Sequence, residues 1–248
     1  MENLNYYLKQ AMERKYAIGH FNFATEDVLK GIVEASRDAG APAVMVGTSE
    51  GEAGFMGIKE AAALVRAMRD DLGYPVFLNA DHFKSFEKCK EAVDAGYDSI
   101  LIDASKLANE ENVALTKQVV DYARLINPDI SVEGELGYLR GSSEVQTKIE
   151  ISPADYSKPE EVADFVLRTG VDRMAVVFGN IHGIVTDQEE KLDIEHFKKI
   201  VAVLQRPSLY KDGLCMVLHG ASGLKDEDVI AANKEGITNL HFNTELRV

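Results

Sequence analysis

The feature that most constrains this chain is an alternation repeated along its length. A short β-branched run is followed by a polar or Gly-rich turn, then an amphipathic stretch of helical period, then a Gly. β-Branched residues favour strands, and apolar residues at three- and four-residue spacing favour a helix with one buried face. Residues 16–21 read as the first strand. A helix capped by Thr25 and running to Asp38 follows, with Glu26 and Asp27 in the first turn, where unpaired N–H groups favour carboxylates, and Gly40 stops it. The next strand–helix pairs are 43–46 with 58–72, 76–79 with 85–95, and 99–102 with 110–126. Residues 130–132 precede a long polar stretch, 138–156, and the helix 159–169; then come 174–178 with 194–204, 215–218 with 226–234, and a last strand at 238–242.

Eight strands with a helix after each of the first seven demand parallel pairing through right-handed crossovers. Eight such units in 248 residues match one α/β domain, a (β/α)8 or TIM barrel spanning 1–248. An open doubly wound sheet is the alternative, but it rarely needs eight units this regular. Only the start of an eighth helix, at Thr244, Glu245 and Leu246, is expected, so that helix reads as truncated.

The 46% hydrophobic and 27% charged residues are those of an ordinary soluble domain, and no apolar run approaches the ~20 residues of a membrane helix. The first five residues lack the basic and apolar regions of a signal peptide, so a cytoplasmic protein is expected. Cys89 and Cys215 form no CxxC motif and read as reduced, buried thiols. A net charge of −14 argues against nucleic acid, whose binding needs cationic side chains. It does not exclude a small phosphorylated ligand, which backbone amides at Gly-rich turns and helix N-termini can hold.

In a barrel the active site lies at the C-terminal ends of the strands. Of six histidines, His82, His182 and His219 each follow an apolar strand, in "VFLNADH", "MAVVFGNIH" and "CMVLH". At the rim of one ring they can converge, and three imidazoles with a fourth position open suit catalytic zinc or a similar divalent ion. One such histidine alone would read as a hydrogen-bonded core residue. Glu133 and Glu135, two apart in "VEGELG", point to one face. Either could ligate the metal, orient a ligand histidine, or pair with a buried Lys or Arg. "FGNIHG" and "LHGASG" place backbone N–H groups beside the histidines, and "NTE" adds donors and a helix start after the last strand.

Over essentially its whole length the chain resembles the class II, metal-dependent ketose-bisphosphate aldolases. The resemblance rests on "AIGHFNF", "SEG", "ADHFKSFEKCKEAVDAGYDSILIDAS", "EGELG", "FGNIHG", "HGASG" and "NTELR". It implies reversible cleavage of fructose 1,6-bisphosphate to dihydroxyacetone phosphate and glyceraldehyde 3-phosphate. Tagatose bisphosphate or a related ketose phosphate is the alternative substrate, and a catalytically impaired metal- and sugar-phosphate-binding barrel the alternative role. It also implies His82, His182 and His219 as ligands of Zn²⁺ or another divalent ion, with Glu135 near the metal and Glu133 behind it. Asp81 corresponds to the acid/base for the C4 hydroxyl, and Asn22 and Ser49 to substrate contacts. Gly183, Gly220, Ser222, Asn243 and Thr244 correspond to the cradle for the phosphorylated ketose end. A monovalent cation near these loops and a dimeric or tetrameric homo-oligomer are further family traits.

The reaction chemistry agrees with that resemblance. Cleavage beside a ketone leaves negative charge that a divalent ion can stabilise without a covalent imine. A Schiff-base route needs a lysine at a strand end, and only Lys84, just past His82, comes near one. Three positions depart from the family pattern. The mobile loop after the fifth strand reads "YLRGSSE", with Ser143 where a proton-carrying glutamate is usual, so Glu144 is expected to take that role. Thr186 stands where a Lys is common, and His241 where an Asn is common.

Overall fold

In a computed structural model that describes residues 1–206 and 213–247, eight parallel strands close into a barrel. In chain order they are β1 (Ile18–Asn22), β2 (Val44–Ser49), β3 (Val76–Phe83), β4 (Ser99–Ile102), β5 (Ser131–Leu136), β7 (Arg173–Val176), β9 (Cys215–Leu218) and β10 (Ile237–Phe242). Each pairs with the next, and β10 closes on β1. Outside the barrel, β6 (Gly141–Gln146) and β8 (His182–Val185) form a small parallel sheet. The long polar stretch after the fifth barrel strand is therefore not all loop: it folds back onto the segment that carries His182.

Helices α2 (Glu26–Asp38), α4 (Ile58–Leu72), α5 (Phe86–Ala95), α6 (Asn109–Ile126), α7 (Pro159–Thr169), α8 (Ile194–Leu204) and α9 (Asp226–Glu235) follow the first seven barrel strands. Their apolar faces, Phe165 of α7 among them, and the outer strand residues, such as Val46, Leu78, Ile100 and Val132, make one continuous core. Two helices stand outside the alternation: α1 (Leu4–Arg14), capped by Asn3, and the short α3 (Glu50–Met56), started by a capping box of Ser49 and Glu52. Leu4, Leu8 and Ala11 of α1 pack on Ile18, Met45, Phe77 and Cys215, plugging the end of the barrel opposite the site. After β10 the described chain makes one 3₁₀ turn, Thr244–Leu246. Cys89 and Cys215 are buried and reduced.

The barrel interior is polar. Strand register sets Asn79, Ser99 and Ser131 side by side, Glu133 beside Arg173, and His20 beside His241. Fully buried polar groups persist only where they satisfy one another. Here Arg173, with no exposed surface, supplies most of the donors.

Candidate active site

The site is assembled at the C-terminal ends of the strands, beginning with β3. Strict alternation would send Asp81 and His82 to opposite faces of the sheet. The β3–β4 register shifts between Ala80 and Phe83, and His82 has a left-handed φ of 52°, unusual for a residue with a side chain. This local strain turns both side chains into the mouth, where both line one cavity.

His82, His182 and His219 meet there, one nitrogen of each within 4.8 Å of the others. Hydrogen-bond partners fix two of the tautomers. His82 Nδ1–H donates to Asp103 Oδ2 at 3.1 Å, and His219 Nε2–H donates to Glu133 Oε1 at 2.7 Å. That leaves the lone pairs of His82 Nε2 and His219 Nδ1 facing each other at 3.2 Å. Such an approach is favourable when His82 Nε2 carries a proton and donates it to His219 Nδ1, or when both nitrogens share a metal ion. Two imidazoles on one tetrahedral zinc, at ~2.0–2.1 Å each, would sit at about this separation. Burial, then His82 and His219, lower His182 to about 3, so it presents a neutral imidazole. Burial works against charge on His82, but Asp81, Asp103 and Glu135 outweigh it and lift it to about 10. The carboxylates thus make this spot strongly attractive to positive charge, proton or metal ion.

Glu135 Oε2 is buried without a hydrogen-bond partner, 3.5 Å from His82 Nδ1. Burial and the nearby Asp103 push its carboxyl up to about 7. Three lone-pair donors, an orphaned carboxylate oxygen and carboxylates behind two of the histidines fit a divalent ion. Beneath them Glu133 Oε2 lies 2.5 Å from Arg173 Nη1, so Glu133 both orients His219 and answers a buried cation.

Asp81 is 5% exposed and held from two sides. Asn22 Nδ2 donates to its Oδ2 at 2.9 Å, and His241 Nδ1 stands 3.4 Å from its Oδ1. Burial alone would raise its pKa, but His82, His241 and His20 hold the carboxyl well below the usual range. The second hydrogen of the Asn22 amide goes to Glu52 Oε2 at 3.0 Å, which leaves only the amide oxygen for a substrate hydroxyl. Ser49 lines the cavity and begins α3.

Across the mouth, Gly183, Gly220, Ser222, Asn243 and Thr244 line the same cavity, which has a volume of about 200 Å³. A Cβ on Gly220, at φ 69°, would lie 1.8 Å from the Ile181 carbonyl oxygen, so only glycine permits this loop to touch the strap that carries His182. Ser222 Oγ accepts from the Asn243 N–H at 3.3 Å, joining the loops after β9 and β10.

The sequence profile described as "Fructose-bisphosphate aldolase class-II" matches residues 2–248. The chain belongs to the class II fructose-bisphosphate aldolase family. Fructose-bisphosphate aldolases of Staphylococcus epidermidis and Staphylococcus aureus are 36% and 37% identical to it over 244 residues, 97% of this chain and 80% of theirs. Among solved structures, the YdjI aldolase from Escherichia coli K12 superposes with a TM-score of 0.82 at 31% identity, over 98% of this chain and 81% of that one.

Of the residues expected at an aldolase site, all but Glu133, Glu135 and Glu144 line this cavity: Asn22, Ser49, Asp81, His82, His182, Gly183, His219, Gly220, Ser222, Asn243 and Thr244. Glu135 lies just behind His82. Glu144 does not join them. On β6 the side chains alternate, and Ser143 faces the cavity, accepting from Asn243 Nδ2 at 3.3 Å, while Glu144 is exposed and accepts from Ser142 Oγ at 2.6 Å. Thr186 is likewise away from the site, on Asp187 at 3.0 Å. His241 lines the cavity and stacks on His20, ring centres 3.8 Å apart. Sequence reasoning missed Asp103, Glu52, Arg173 and Arg247. Asp103 was within reach of it, being a carboxylate directly after the apolar run of β4. Glu52 carried a local signal, its S-x-x-E spacing from Ser49, while Arg173 and Arg247 declare themselves only through partners far along the chain.

Proposed function

We propose that this protein catalyses reversible aldol cleavage of fructose 1,6-bisphosphate to dihydroxyacetone phosphate and glyceraldehyde 3-phosphate, with the whole chain as one catalytic unit. The observation that carries the reading is the pair of imidazole nitrogens at 3.2 Å beside His182, each ring backed by its own carboxylate. His82, His182 and His219 would hold the ion, with Glu135 beside them, and zinc suits this nitrogen-rich set best. When bound, the ion supplies Lewis acidity toward the ketose oxygen that gains charge.

The protein's own groups do the rest. Asp81 takes the C4 hydroxyl proton as the C3–C4 bond breaks and the aldehyde forms; its ionised state and its grip by Asn22 suit it to this work. The bonding electrons pass to the ketose fragment, which regains a proton at C3. Glu144 is our candidate for that step, provided the 141–146 segment turns it inward. The amides around Gly183 and Gly220, with Ser222, Asn243 and Thr244, hold the phosphate of the ketose end, and a monovalent cation beside these loops would add to that field. Asn22 and Ser49 contact the sugar hydroxyls. We further place the protein in the cytoplasm as a homo-oligomer, a dimer or tetramer, with no nucleic-acid partner. Among the described residues no helix is long and apolar enough to cross a membrane.

Two alternatives remain open to the same test. Tagatose bisphosphate or a related ketose phosphate differs from fructose bisphosphate only in pocket fit. A metal- and sugar-phosphate-binding barrel of impaired turnover is favoured by one observation, Ser143 rather than a carboxylate facing the cavity. The test is product release from each bisphosphate, before and after chelation and after return of Zn²⁺. Zinc-restored cleavage supports the proposal. Activity that survives the chelator and is trapped by borohydride overturns it, and metal binding without cleavage of either sugar establishes the impaired barrel.

A further inference from the structure

Arg247, just beyond β10, lines the mouth with Gly183 and Gly220 and reaches Glu52 of α3, the helix that follows β2. It is the only Lys or Arg among the described residues that line the cavity. A phosphate on the aldehyde half of a ketose bisphosphate needs such a cation, because the barrel interior around it is rich in carboxylates. Arg247 is not idle, however. Its guanidinium pairs with Glu52 Oε1, and Glu52 is 8% exposed at its side chain against 43% for Arg247. Glu52 itself is fixed by Ser49 N–H at 2.7 Å and Asn22 Nδ2 at 3.0 Å, both on its other oxygen.

Resting on the aldol reading, we propose that Glu52 is a specificity-determining residue. It competes with the terminal phosphate of the substrate for Arg247 and so lowers the weight the site gives to a charged aldehyde half. Glu52 is rigid and its Oε2 contacts persist whether or not Arg247 is present. The long, half-exposed arginine is the partner that moves. A phosphate arriving here must draw Arg247 off Glu52, and leaves that carboxylate without its cation. An uncharged hydroxyl end makes no such demand. The site therefore prefers phosphorylated over unphosphorylated aldehyde ends less strongly than it would with a free arginine at this position.

The test compares kcat/KM for fructose 1,6-bisphosphate and fructose 1-phosphate in the full zinc-loaded chain. Glu52→Gln keeps an oxygen for Ser49 and Asn22 but removes the charge. We expect the bisphosphate-to-monophosphate ratio to rise about three- to tenfold, the range of a partly exposed charged contact. Glu52→Asp, one methylene shorter, should raise it less, and Arg247→Gln should lower it below wild type. A reduced rate with both substrates and an unchanged ratio in Glu52→Gln would mean that Glu52 only braces Asn22 and Asp81, and overturns the proposal. Should Glu52→Gln not fold, an unchanged ratio in Glu52→Asp overturns it equally. Wild-type protein that cleaves neither sugar overturns the aldolase reading itself, and the proposal with it.

Discussion

Arg173→Met is the substitution whose cost the structure defines best. The arginine has no exposed surface and reaches Glu133 Oε2 at 2.5 Å, Asn239 Oδ1 at 2.9 Å, Asn79 Oδ1 at 3.1 Å, Ser131 Oγ at 3.2 Å and Ser99 Oγ. Methionine fills a comparable length but brings no donor. It leaves Glu133 buried with no full positive charge beside it, and two amide oxygens short of a hydrogen bond. Removing one partner of a buried pair costs about 3–5 kcal/mol; the amide oxygens of Asn79 and Asn239 keep Ser99 Oγ and His241 Nε2 as partners, so the uncompensated charge of Glu133 sets the cost. In a urea titration with a slope of ~2 kcal/mol/M, the midpoint should fall by about 2 M. The charge is the main term, so adding Glu133→Gln should recover about 2 kcal/mol even though the second change alone also destabilises. A single variant within 1 kcal/mol of wild type, or a double variant no better than the single, would refute this account of the barrel core.

Three further outcomes follow from the geometry. Glu144→Gln should lower turnover by about 10²-fold or more with metal content unchanged, as for loss of a general acid; an undiminished rate removes Glu144 from the mechanism. Burial, aided by Asp228, raises Glu190 from 4.5 to about 8, so it keeps its proton when folded and loses it when unfolded across that window. Its contribution is complete below pH 4.5 and fades as pH climbs to 8, so Glu190→Gln should gain stability relative to wild type with rising pH, by at most about 5 kcal/mol. A melting-temperature gap that does not vary with pH contradicts that. Gly220→Ala, whose methyl group would strike the Ile181 carbonyl, should lose about 2 kcal/mol or more and weaken metal retention, checked by melting and metal analysis.

Much of this was legible in the sequence because the information was local. β-Branched runs, caps and terminal glycines placed the barrel strands and the seven helices between them, and position at a strand end singled out His82, His182 and His219. What could not be read depends on closure of the ring. Glu133 carried three readings, metal ligand, support of a ligand histidine or pairing with a buried cation, and it makes the contacts of the last two, because Arg173 and His219 approach it from different strands. The adjacent Asp81 and His82 share a cavity only through the bulge and the left-handed φ of His82. The helix α1 breaks the alternation and needs a barrel end to plug, while β6 needs β8 to pair with. Glu144 was placed by a one-residue shift in a loop, and a one-residue shift on a strand reverses the face.

The central claim separates two jobs at the barrel mouth: a histidine ring that holds the ion and a neighbouring carboxylate that moves the proton. The direct measurement is zinc per chain and cleavage rate on the same preparations of wild type, Asp81→Ala and His219→Ala. The account predicts that Asp81→Ala keeps its zinc while losing ~10²–10⁴-fold in rate, and that His219→Ala loses the zinc and the activity together. Full turnover in Asp81→Ala, or undiminished zinc in His219→Ala, would contradict it.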